Sequence, residues 1–378
     1  MFPATTEMSA LDSNNVETPT LRVAFLWAPA SFNWRVTGAN PYAGLLANAL
    51  SKHRVRVDAH SDHSLRFVWK VRRDYDVIHL NWIPRLYEHP NAVIAVLRLL
   101  GFVALLLLAR VRGIRIVWTM HNVVPHEQLR PAHGLLARRV ISRLANTVIC
   151  HCDHARKILA RRFGRTSHVL VIPHGSFADA YPRGATRAES RRAFDIPENV
   201  FVYGYFGNIR AYKGVERLLK EFSCVEDDNV RLLIAGALHA NYHGPLHGMT
   251  IADKRVITHF RHIADEEIQL VMGAVDVLVL PFLDTLTSGS AVLALGHETP
   301  IVVPRYGCLP QLIGSSEAAV FYDPAQPDAL REALSAAREM DHTVARNAAR
   351  ERDRVLDWDS IAQKTLAAYG HTPKDYHD

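Results

Sequence analysis

The stretch DVLVLPFLDTLTSGSAVLALGHETPIVVPRYG, residues 276–307, decides how the chain is read. An apolar, β-rich run stops at a short polar loop. A helix-like run, SAVLALG, follows, and then a second apolar run, PIVVP. Strand, turn, helix, strand is the unit of a parallel sheet. The turn carries hydroxyl residues and glycine, which suits a ligand that must reach backbone N–H groups. Phosphate is the usual ligand of that kind.

The same alternation extends in both directions. VYGYFGNI, VERLLKEF, VRLLIAG and ADEEIQLVMGA precede the stretch, and AVFYD and two helical segments follow it. Further upstream, LRVAFLW, RVRVDAH, YDVIHLNWIP, IRIVWTMHN, TVICHC and VLVIPHG alternate with helical stretches such as YAGLLANALSKH. A polar, proline-marked segment separates the two series. The expectation is α/β architecture: two Rossmann-like doubly wound domains facing across a cleft, with ligands at the carboxyl ends of the strands. The expected boundaries are a disordered tail at 1–20, a first domain at 21–180, a linker at 181–198, a second domain at 199–345 and a helical segment at 346–378.

Composition supports a globular chain: 378 residues, 48% apolar and 22% charged. Four cysteines are too few for a disulfide framework, which fits a reducing cytoplasm. The net charge of +6 hides an asymmetry. Residues 1–175 hold 23 Lys and Arg against 10 Asp and Glu, or +13, which leaves 21 against 28, or −7, for the rest. A basic first half suits an anionic partner: nucleic acid, an anionic membrane surface or a phosphate-bearing lipid. Residues 99–109, LLGFVALLLLA, are uninterrupted apolar, with Arg98 before them and Arg110, Arg112 and Arg115 after. The run is too short to span a bilayer. It reads either as a helix buried on the sheet or as one lying in a membrane interface with its arginines on headgroups.

Two turns of the second half carry chemistry. In YFGNIRAYKGVERLL, Gly207 permits close backbone approach, Asn208 follows it, and Arg210 and Lys213 place cations beside a helix start. The helix dipole disfavours cations there, so an anion is expected to offset the repulsion. In the opening stretch, Ser288, Gly289 and Ser290 sit at a helix N-terminus, where one residue suffices for capping. Both turns end strands of one expected sheet and could converge on a diphosphate. CHCDH, residues 150–154, has a poor zinc spacing and no second ligand pair. Walker-type and GxGxxG phosphate loops are missing from the expected places.

These segments resemble the large bacterial group of two-Rossmann-domain (GT-B, group 1 or family 4-like) glycosyltransferases that use nucleotide sugars. FGNIRAYKGVERLL resembles that group's phosphate segment, HFRHIADEEIQLVMGAVDVLVLPF its base segment, and TSGSAVLALGHETPIVVPRYG its third donor segment. The resemblance implies that Gly207, Asn208, Arg210, Lys213, Ser288, Gly289 and Ser290 bind the donor diphosphate. It implies that Arg261, His262 and Ile263 contact the base. The group's two glutamates, eight positions apart, are replaced here by Thr285 and Leu293, so ribose recognition through the second is absent; Asp284 is a possible substitute. The TSG loop looks like that of exopolysaccharide mannosyltransferases, including β-1,4 enzymes, which implies GDP-mannose and inversion.

Transfer then needs a stabilised leaving group, supplied by Arg210 and Lys213 with no metal and no cofactor expected, and a general base. Glu127 is the preferred base, with His121, at a strand end in WTMHNVVPHE, as competitor. Acceptor contacts are expected from Asn40 and Tyr42 in GANPY and from Asn81 and Trp82 in HLNWIP. The expected partner is a polyprenyl-diphosphate-linked glycan rather than nucleic acid. The expected place is the inner face of the cell membrane, in peripheral contact from the cytoplasm. Two alternatives share the fold: a nucleotide-sugar 2-epimerase, and a partner subunit without catalysis.

Overall fold

The computed structural model describes residues 20–27, 31–37, 40–60, 67, 69, 74–123, 130–314 and 317–371. The tail at 1–19, residues 38 and 39, Glu127 and the last seven residues lie outside them.

Among the described residues, short β-branched and aliphatic runs form twelve parallel strands in two sheets, as the apolar runs led us to expect. In the first domain β1 (Leu21–Leu26), β2 (Val55–His60), β3 (Val77–Leu80), β4 (Arg115–Met120), β5 (Thr147–Cys150) and β6 (Val169–Val171) take the order β2-β1-β3-β4-β5-β6. In the second, β7 (Phe201–Phe206), β8 (Val230–Ala235), β9 (Val256–His259), β10 (Val277–Val279), β11 (Ile301–Pro304) and β12 (Ala319–Tyr322) take the order β12-β11-β10-β7-β8-β9. The order reverses between β7 and β10, where a crevice must open at the strand ends.

The segment between the sheets contains a short helix, Arg187–Arg192, started by a Thr186–Glu189 capping box. Its Arg191 is fully buried and bonds Asp276 at 2.9 Å, so this stretch is docked on the second domain. The chain then returns. Helix Trp358–Ala368 packs on helix Tyr42–Ser51 of the first domain, and Trp358 donates to the Ser176 carbonyl at 2.6 Å.

Where the domains meet, the first sheet ends in a layer of buried histidines. His79 lies between Thr119 (2.7 Å) and Tyr369 (2.8 Å). The His151 Nδ1–H donates to the Ile172 carbonyl at 3.0 Å, so its Nε2 accepts from the His121 Nδ1–H at 3.2 Å. That leaves a lone pair on His121 Nε2, 2.9 Å from the Asn81 side-chain amide. The oxygen of that amide is the atom placed against the ring, and a neutral His121 in this tautomer requires the amide turned so that its N–H donates to the lone pair. Tyr42 packs its ring edge against His121 and His151 and beside His174.

Two sequence expectations are corrected. Cys152 and Cys308 form a disulfide across 156 residues, with Cα atoms 5.5 Å apart. It ties the end of β5 to the turn after β11. Spacing in the chain gives no sign of it, because only domain docking brings the two together. The chain-entropy account puts such a closed loop at roughly 5 kcal/mol. The apolar run at 99–109 belongs to a longer helix, Ala92–Val111, whose two charged residues are Arg98 and, in the last turn, Arg110. Its mean hydropathy is 2.7 over an 18-residue window, long and apolar enough to cross a membrane by length and composition. One stripe (Ala95, Leu99, Phe102, Leu106, Ala109) is buried on the domain. The other (Val93, Leu97, Leu100, Leu107, Val111) is exposed. A helix apolar on both faces has two environments to satisfy.

The histidine layer has a pH consequence. Burial lowers His79 and His174 to about 3 and His151 to about 4, and holds His121 well below its ordinary value of 6.5. Folding thus keeps these rings neutral, and their stabilisation is complete above 6.5 and lost as pH falls toward 4. Urea unfolding at pH 5.5 should show a loss of about 1 kcal/mol per histidine relative to pH 7.5. Equal stability at both values would contradict the buried, neutral assignment.

Candidate active site

The crevice at the β7–β10 reversal is a cleft of about 740 Å³ between the domains. Its floor is glycine. Gly207 and Gly236, at the ends of β7 and β8, have φ of 135° and 152°, which side chains rarely adopt. A Cβ on Gly236 would collide with the Gly207 carbonyl, and one on Gly207 would stand 3.0 Å from the Ser290 hydroxyl. Backbone is bare here, so a ligand can touch it.

Cations enter from the turn after β7. Arg210 starts a short 3₁₀ turn, Lys213 ends it, and Gly214 at φ 71° turns the chain into helix Val215–Ser223. The Lys213 ammonium lies 4.2 Å from the centroid of the Phe282 ring. Burial, with Arg210 beside it, lowers Lys213 to about 8. An ammonium so placed is only partly charged near that pH, and an incoming anion would restore its proton.

The turn after β10 faces it. Thr285 is buried and its hydroxyl donates to the Thr287 carbonyl at 2.8 Å, which shapes the loop. Ser288 caps helix Gly289–Gly296, accepting the Ala291 N–H at 3.2 Å, so its hydroxyl serves the helix. Gly289 and Ser290 line the cleft at that helix's N-terminus, the positive end of its dipole.

The first domain closes the other wall with Trp34, Asn40, Trp82, Glu88 and Asn122. Asn40 comes within 3.6 Å of where a Gly289 side chain would begin. Trp82 stacks on His121 with ring centroids 4.2 Å apart and 10° between planes. His121 is only 6% exposed, and both ring nitrogens are bonded, which leaves no lone pair for a substrate proton.

Of the residues singled out from sequence, the cleft brings together Asn40, Trp82, Gly207, Asn208, Arg210, Lys213, His262, Ile263, Gly289 and Ser290. Others are placed elsewhere. Arg261 turns away into a paired bond with Glu267 at 2.6 and 2.7 Å, leaving its neighbours to face the cleft. Tyr42 and Asn81 are spent in the histidine layer. Asp284 bonds Tyr306 at 3.3 Å and lines an adjoining hollow of about 390 Å³ with Arg161 and Arg162. Leu293, where the resemblance leads one to look for a glutamate, presents an apolar wall. Sequence reasoning passed over Trp34, Glu88, Tyr181, Gly236 and Asp265. Gly236 at the end of VRLLIAG was the readable one.

Known proteins share the fold and parts of the sequence. Residues 200–339 match the family described as glycosyl transferases group 1. Over 231 residues the chain is 28% identical to the GDP-mannose:glycolipid 4-beta-D-mannosyltransferase of Xanthomonas campestris pv. campestris, covering 61% of each chain. It is 24% identical over 344 residues to the D-inositol 3-phosphate glycosyltransferase of Corynebacterium diphtheriae, covering 88% of this chain and 78% of that one. The match thus spans about three fifths of the length of the Xanthomonas relative. In fold, the Anabaena HepE complex with UDP superposes with a TM-score of 0.71 at 17% identity, covering 93% of this chain and all of that one. A sucrose-phosphate synthase from Thermosynechococcus elongatus gives 0.70 at 18%, covering 93% and 98%. The fold is GT-B, and residues 200–339 of its second domain are similar to the group 1 glycosyl transferases.

Lys213 sets a testable pH dependence. Its charge is present below about 8 and lost above. Affinity for a nucleoside diphosphate such as GDP or UDP should therefore fall as pH rises past that value. Lys213→Met should bind roughly 10- to 100-fold more weakly at pH 7 and lose the dependence. Titration calorimetry from pH 7 to 9.5 checks both, and unchanged affinity in the variant would remove the residue from the site.

Proposed function

We propose that the protein is a hexosyltransferase, moving mannose from GDP-mannose to a lipid-linked saccharide with inversion, in the assembly of an exopolysaccharide or other cell-surface glycan. The observation that carries this is the meeting of Lys213, with Arg210 beside it, and the Gly289 helix N-terminus on one interdomain cleft. Cations and a helix dipole aimed at one point stabilise a leaving diphosphate, and the reading assigns no metal to the step. His262 and Ile263 carry the base end of the donor. Asn40 and Trp82 hold the acceptor opposite. The names of two relatives, the Xanthomonas enzyme and an MMP alpha-(1->4)-mannosyltransferase, support mannose as the sugar.

The exposed stripe of helix Ala92–Val111 supports a lipid acceptor over an epimerase, which needs no membrane. Its exposed Val93, Leu97 and Leu100 precede the basic end at Arg110, Arg112 and Arg115. Arg112 stacks on the exposed Trp69 at 3.6 Å. Apolar side chains in the acyl region with arginines at headgroup level describe a helix in the interface of an anionic leaflet. The cytoplasmic face of the membrane is where GDP-mannose and such a leaflet meet.

Two measurements test the reading. Labelled nucleotide sugars offered with a membrane lipid extract should label lipid, GDP-mannose best. Arg210→Ala or Lys213→Ala should slow transfer by about 2–4 kcal/mol in barrier, and wild-type rates in both would refute the assignment. In flotation with phosphatidylglycerol vesicles, Leu97→Glu with Leu100→Glu should leave the protein unbound while GDP binding persists. Unaltered flotation would return the helix to a purely structural role.

A further inference from the structure

The cleft contains a carboxylate that the donor site does not use. Glu88 lies just past the short helix Pro84–Tyr87 and lines the first domain's wall. Its backbone is pinned: the N–H donates to the Pro84 carbonyl at 2.8 Å, and its carbonyl accepts from Arg98 at 3.0 Å. Yet its Oε1 is buried without a hydrogen-bond partner. A buried carboxylate oxygen left unsatisfied costs free energy, and a catalytic role is one reason a protein keeps such a group. Among the described residues lining the cleft, the other carboxylate is Asp265, which stands on the donor's own side beside His262 and Ile263. An acceptor hydroxyl must be approached from the opposite wall, where His121 has both nitrogens occupied.

We infer that Glu88 is the general base of the transfer, which rests on the inverting glycosyltransferase reading. Its carboxylate takes the proton of the acceptor hydroxyl as that oxygen bonds to the anomeric carbon. The bond from that carbon to the diphosphate oxygen breaks, and the electron pair leaves on the diphosphate, held by Lys213 and Arg210. The protonated Glu88 returns its proton to water after product departs. Burial raises the Glu88 carboxyl above the ordinary value, opposed by Arg138 from helix Pro131–Leu144. A raised carboxyl is a stronger base than an ordinary one. Arg98 holds the Glu88 carbonyl and Arg130 the Pro90 carbonyl, while Arg138 bonds Tyr87.

The test compares Glu88→Gln, Glu88→Asp, Glu88→Ala and Glu127→Gln with the wild type, using GDP-mannose and membrane lipid extract. Expected are a loss of at least 100-fold in kcat for Glu88→Gln, GDP affinity within twofold of wild type, and partial activity in Glu88→Asp. Added formate should raise the rate of Glu88→Ala, supplying the missing carboxylate. The acidic limb of the wild-type kcat profile should lie above 4.5, the ordinary carboxyl value. Wild-type kcat in Glu88→Gln, or loss confined to Glu127→Gln, overturns the inference, as does joint loss of kcat and GDP binding. A wild type that labels no lipid from any nucleotide sugar overturns the parent reading, and this assignment with it.

Discussion

A lysine ammonium buried beside an arginine is the constraint on which the rest of the site depends. Taking a cation out of water costs several kcal/mol unless an opposite charge meets it. Lys213 has an aromatic ring and a second cation for neighbours, and its lowered proton affinity records the cost. The surrounding features make sense as provisions for the anion that would meet it. Gly207 and Gly236 bare the backbone at the strand ends, and the Ser288 cap fixes a helix so that its N-terminus faces the gap. The β7–β10 reversal brings these pieces to one crevice, because helices diverge to opposite faces of the sheet there.

The first domain closes this crevice, and in the proposed reading it holds the acceptor. Its histidine layer is the rigid backing. His151 and His121 form a chain of hydrogen bonds from the Ile172 carbonyl to Asn81, and Trp82 stacks on that chain with its indole toward the cleft. The same layer is clasped by the returning C-terminal helix through Tyr369 and Trp358. The Cys152–Cys308 bond adds a covalent tie beside it. Helix Ala92–Val111 begins four residues past Glu88, so the exposed apolar stripe starts close to the first domain's wall of the cleft.

Much of this was legible in the chain. Alternating apolar runs and amphipathic helices gave the two parallel sheets, since a strand buried on both faces reads as an unbroken apolar run. The strand-end turns at Gly207 and Ser288 were legible because glycine, hydroxyl and cation types have few other uses together at such places. What escaped depended on contacts between distant segments. Tyr42 and Asn81 sit at strand or helix ends, as ligand-binding residues do, but the histidines they meet come from other strands. Ser288 lies in the correct loop, yet its hydroxyl is used by the helix it starts. Cys152 and Cys308 meet only after the domains dock. Glu88 carries no local pattern at all; its meaning comes from an unpartnered oxygen in a shared cleft.

The most direct test of the account is a crystal structure with GDP bound, read for the position of the diphosphate. The phosphates should lie between Lys213 and the backbone N–H groups of Gly289 and Ser290, with the guanine beside His262 and Ile263. A diphosphate seated instead in the neighbouring hollow of Arg161 and Arg162, with Lys213 unengaged, would contradict it.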